Sequence, residues 1–182
     1  ITRLDQKTPS QGEGNCGPVA RAMLSWLGEG FKLATPCPEK GSKRDSTTER
    51  GFDFSIHEPC GHATEIQVTR VPEQAHFAAL GSANRQGPVV DERSHATLVN
   101  LIESALRHKT DATPSRDRAN RILAIDGLDP SVGFNFFLTG IRFVDTGEVF
   151  GWRGVVLVCD ERNLLFFGSD GWPGCSKCKE VG

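Results

Sequence analysis

Gln11-Gly12-Glu13-Gly14-Asn15-Cys16-Gly17-Pro18-Val19-Ala20-Arg21-Ala22-Met23-Leu24 sets a cysteine behind glycines at the mouth of an amphipathic helix. A helix start presents unpaired N–H groups and a partial positive charge, which stabilise a thiolate and lower its pKa from about 8.5. Gly12, Gly14 and Gly17 let the backbone come close to a substrate carbonyl. Asn15, Gln11 or the amide of Cys16 can then donate to a developing oxyanion. Cys16 is therefore the candidate nucleophile. The same pattern also suits a buried cysteine at the start of an ordinary helix.

Working outward, the helix is expected over residues 17–27, with Val19, Met23, Leu24 and Trp26 or Leu27 on its apolar face and Gly28 and Gly30 ending it. Residues 35–51 are rich in Pro, Lys, Ser, Thr and Glu and read as an exposed loop, in which Cys37 is the exception. Residues 52–56 and 63–71 alternate apolar with polar as half-buried strands do, and His57, Cys60 and His62 lie in the turn between them. Residues 72–80 suit either a helix or a buried strand. Residues 97–107 form a clear amphipathic helix and 115–123 a second one, after which 134–144, 154–159 and 164–167 are β-rich. The fold class expected is α+β.

The chain of 182 residues is long enough for one core, or for two small cores sharing an interface. With 37% hydrophobic residues and a mean hydropathy of −0.33 it reads as globular and soluble. No apolar run approaches the roughly 18 residues of a membrane helix. A net charge of −2, with the signs mixed along the chain, lacks the electrostatic footprint of a nucleic-acid binder. No signal peptide is visible at Ile1, and six unevenly placed cysteines read better as reduced thiols in a cytosol than as a disulfide scaffold.

A thiol nucleophile needs a base, and the base an acceptor that fixes its tautomer. Of five histidines, His57 and His62 flank Cys60 as metal ligands or turn residues would, and His95 and His108 lie near helix ends. His76 remains. The stretch after it reads as a hairpin that returns Asp91 beside the imidazole. Elsewhere, Cys175-Ser176-Lys177-Cys178 has the spacing of half a zinc site, and Cys37, His57, Cys60 and His62 offer the other half. The pairing stays open, and free thiols on a tail together with small core residues at Cys37 and Cys60 account for the same positions. Cys159 sits in an apolar run and reads as packing.

The run Gly-Glu-Gly-Asn-Cys-Gly at residues 12–17 resembles the nucleophile motif of papain-like cysteine peptidases, above all the compact arterivirus-type proteases and the ovarian-tumour-type deubiquitinases. In those, a small zinc-bearing insert follows the helix and a histidine opens a strand some sixty residues on, as His76 does after Cys16. The resemblance implies Cys16 as nucleophile, His76 as base and then acid, Asp91 as its orienter, and Asn15 with Gln11 at the oxyanion site. It implies a nucleophile helix packed on a small antiparallel sheet, with residues 1–92 as the catalytic region. Residues 93–182 follow as a helical, then β-rich region, separate or part of the same domain. The expected activity is viral and cytosolic, cleaving a polyprotein precursor or ubiquitin-like conjugates through a thioester. Structural zinc would be held among Cys37, Cys60, His62, Cys175 and Cys178, and the partners would be protein substrates, with no nucleic acid and no membrane. A second hairpin, at residues 152–170, also resembles the histidine hairpin of larger papain-like peptidases, with Arg153 in the histidine's place. Arginine cannot act as a base at neutral pH. That alignment implies an inactive, zinc-stabilised interaction protein, and a bacterial effector amidase or deamidase is a third possibility on the same thiol.

Overall fold

The computed structural model describes residues 16–38, 51–70, 92–128, 149–169 and 171–175, and the side chains of 92–98 are left aside. Helix α1 (Cys16–Leu27) buries Val19, Ala20, Ala22 and Met23, spaced to share one face. It ends as the glycines require: the Gly28 N–H bonds Leu24 O at 3.0 Å with Gly28 at φ 77°, the left-handed cap that favours glycine.

Among the described residues six strands follow in one sheet, ordered β1 to β6 as in the chain. They are β1 (Lys32–Thr35), β2 (Phe54–His57), β3 (Ala63–Arg70), β4 (Arg121–Asp126), β5 (Gly154–Val158) and β6 (Leu164–Phe167). The first three form an antiparallel meander, β3–β4 and β4–β5 pair in parallel, and β6 returns antiparallel to β5. A parallel pair cannot be closed by a tight turn. The long β3–β4 connection carries α2 (Glu92–Ala112) and the single turn α3 (Ser115–Arg118).

The pleat assigns each strand residue to one helix. Ile122, Ala124, Val156 and Val158 face α1 in a cluster with Val19, Met23, Phe54 and Ile66. Leu123, Ile125, Val155 and Leu157 face α2 in a second cluster with Val99, Ile102, Leu106 and Trp152. The central strands are thus buried on both faces, as parallel strands between helical layers are. Arg118 fastens the end of α2: its guanidinium donates to the carbonyls of Thr110 and Thr113, placing a cation where the helix dipole favours one.

Three expectations change. The sheet is mixed and six-stranded rather than small and antiparallel. The helix read over 115–123 stops at Arg118, and Arg121–Asp126 is a central strand, paired in parallel with β3 and β5 and burying Ile122–Ile125 on both faces of the sheet. Thr35, the first residue of the expected loop, instead closes β1, which is the margin of the sheet among the described residues. One sheet carries strands from both sides of the boundary between residues 92 and 93. The readings of 72–80 and 134–144 lie outside the described residues.

Leu157, on β5, is fully buried in the cluster that faces α2. Leu157→Ala should cost about 2–5 kcal/mol in urea unfolding, whereas Leu33→Ala, at a side chain 42% exposed on β1, should stay within about 0.5 kcal/mol.

Candidate functional site

Cys16 is the first residue of α1, where the sequence places it, but its sulfur is bonded to Cys37 at 2.01 Å across a separation of 21 residues. A disulfide sulfur carries no thiolate, so in this state Cys16 cannot attack a carbonyl. The expectation of reduced thiols fails at both positions, and Cys60 is likewise disulfide-bonded. The free cysteines, Cys159 and Cys175, are buried. Burial pushes the Cys159 thiol well above its ordinary value, and the neighbouring Asp160 carboxylate adds to the rise.

His76, Asp91, Asn15 and Gln11 lie outside the described residues. His57, His62 and His108 are exposed. Of the expected zinc ligands, Cys37 and Cys60 are disulfide-bonded, His62 is exposed and Cys175 is buried, while Cys178 lies outside the described residues. Among the described residues no three His, Cys, Asp or Glu side chains are grouped to hold a metal. No described helix is long and apolar enough to cross a membrane.

Arg153 is committed elsewhere. It leads into β5 and donates through Nη1 to the Thr64 hydroxyl at 2.8 Å, and through Nη2 to Glu58 Oε1 at 2.9 Å and Pro173 O at 2.8 Å. Thr64 also donates to Glu58 Oε1, and the Cys175 N–H donates to Oε2 at 3.0 Å. A buried carboxylate is tolerable only when satisfied in this way. Burial tends to raise the Glu58 carboxyl, but the bonds from Thr64, Cys175 and Arg153, with the Arg153 charge, hold it below 4.5. The network ties residues 171–175 down across the β2–β3 turn, and Gly154 permits the approach, because a Cβ there would come within 2.6 Å of the Pro173 ring. Trp172 meets Phe31 edge-on with ring centroids 5.9 Å apart. This cluster is structural, with every polar atom of Glu58 engaged.

The open chemistry lies at the other end of the sheet. A cleft of about 710 Å³ is lined by Pro18, Arg21, Ala22 and Ser25 from one stripe of α1, by Leu128 after β4, and by residues 159–162 after β5. In open α/β sheets the carboxyl ends of parallel strands, where loops diverge, are the usual ligand position. Its floor is apolar and its rim charged. Asp160 is occupied by its own turn, accepting from the N–H groups of Arg162 at 2.7 Å and Asn163 at 2.9 Å and from Asn163 Nδ2 at 2.7 Å. Arg21, Glu161 and Arg162 are exposed at the rim. The cleft was not legible in sequence, since its walls come from three separated segments with no shared motif. No known protein family, curated protein or solved structure matches the chain.

The Glu58 carboxylate, held below its ordinary value, adds stability that is present in full above about pH 4.5 and is lost as pH falls through its folded-state value. The gap in urea midpoint between wild type and Glu58→Gln should therefore be constant near neutrality and shrink in acid. Arg153→Met, which strands the buried carboxylate, should cost about 3–5 kcal/mol at pH 7.

Proposed function

We propose that this chain is a disulfide-braced binding domain that takes a small anionic ligand in the cleft between α1 and the carboxyl ends of β4 and β5. The observation that carries the reading is the rim. Its guanidinium groups, Arg21 and Arg162, stand exposed over an apolar floor, while the Asp160 carboxylate keeps its charge but spends its acceptor oxygens on its own turn. Guanidinium groups suit carboxylate and phosphate by geometry as well as charge.

A second reading is favoured by the place of Cys16 at the head of α1. Once reduced, its thiol would gain the thiolate-stabilising end of the helix, and the chain would act as a cysteine peptidase on a protein substrate, with His76 as base and Asp91 as its orienter. Reduced protein treated with a ubiquitin-type C-terminal electrophile should then form an adduct at Cys16. Absence of that adduct, with both sulfurs shown to be free, removes this reading.

The binding reading is tested by thermal unfolding in inorganic phosphate and citrate, because a ligand that binds only the folded state raises Tm with its concentration. Wild type should rise by several degrees in millimolar anion, and Arg21→Glu with Arg162→Glu should abolish the rise. A Lys32→Glu control, away from the cleft, should keep it. No rise with either anion, or an equal rise in the double variant, overturns the proposal.

A further inference from the structure

We propose that the Cys16–Cys37 disulfide is a reducible latch that sets the order of the cleft's α1 wall, an inference that rests on the cleft being the binding site. Cys16 and Cys37 pack against the margin of the α1-facing cluster and are part-exposed, whereas Cys159 and Cys175 are 1% and 3% exposed, so this bond is nearer solvent than either free thiol. The two sulfurs differ as leaving groups. Cys16 heads α1, whose unpaired N–H groups stabilise its thiolate, and a lower-pKa thiol leaves faster.

A thiolate of the dithiol attacks Cys37 Sγ, the S–S bond breaks, and the electron pair departs on Cys16 Sγ. The reductant's second thiol then closes on its own sulfur and releases the Cys37 thiolate. The dithiol ends as a cyclic disulfide, oxidised by two electrons, and its two protons balance the two thiols formed.

What moves is limited by the packing. Val19, Ala20, Ala22 and Met23 keep α1 on the sheet, and β1 stays paired with β2. The covalent tie itself ends at the first residue of α1, two residues before Pro18 and one turn or so before Arg21 and Ala22 of the cleft wall. Opening it releases the first turn of that wall and the segment after β1 without unfolding the domain.

The test is amide hydrogen exchange of the whole chain before and after native-state reduction with dithiothreitol, with alkylation mapped by mass. Cys16 and Cys37 should alkylate while Cys159 and Cys175 do not. Amides of residues 20–22 should exchange roughly tenfold faster or more, with those of β4 and residues 105–110 unchanged. Because the exposed Cys60 is reduced in the same sample, the Cys16→Ser/Cys37→Ser double variant, unreduced, serves as the second arm and should show the same change. The latch is overturned by a bond that opens only in denaturant, by unchanged exchange at 20–22 after full reduction, or by exchange rising throughout the sheet, which would make the bond a global brace. None of these readouts uses a ligand, so failure of the latch is distinct from failure of anion binding.

Discussion

Burial of β4 and β5 on both faces is the constraint from which the rest of the molecule follows. Two adjacent strands that bury side chains above and below the sheet need a helical cover on each side, and α1 and α2 supply it from segments far apart in sequence. Because β3, β4 and β5 run parallel, their carboxyl ends lie at one end of the sheet, and their connections must depart from it. The cleft forms there, between one stripe of α1, Leu128 and the β5–β6 turn. At the opposite end, where β5 begins, the Glu58–Arg153 pair closes the structure with the strap of residues 171–175. Among the described residues, one end is therefore sealed by a satisfied polar network and the other holds the cleft.

Much of this was legible because periodicity reports burial directly. Val19 and Met23 on α1, the alternation through 63–70, the apolar stripe of α2 and the two strands flanking the 160–163 turn all carry patterns that one kind of element satisfies best. Where the reading failed, local signals were indifferent to the outcome. Arg121–Asp126 follows a short helical turn rich in charge, and a run of four apolar residues fits a helix as well as a strand until its two neighbouring strands are known. β1 is short and more than half open, so its sequence carries little burial signal.

The cysteines illustrate a harder limit. Glycines before a helix, with cysteine at its head, describe a local environment in which a thiolate is stabilised, and that environment is present at Cys16. Whether a second sulfur stands within bonding distance is a property of the tertiary fold. Cys37 reaches Cys16 because β1 turns back along α1 after Gly28 and Gly30, and nothing in the twenty residues between them announces that return. The same holds for Arg153, whose hairpin was read correctly as strand, turn and strand, but whose partners come from Glu58 and Thr64, far away along the chain.

Among the described residues, β1 forms one margin of the sheet, and its outer backbone groups are a template on which another extended chain could align. The strand carries its own deterrents. It is four residues long, its pairing slips between Leu33 and Thr35, and a lysine opens it. A slipped, twisted and charged border discourages edge-to-edge association, so this margin protects against aggregation while contributing little to the core. Substitutions that lengthen or regularise it, harmless to the folded monomer, would be expected to show themselves first as loss of colloidal stability at high concentration.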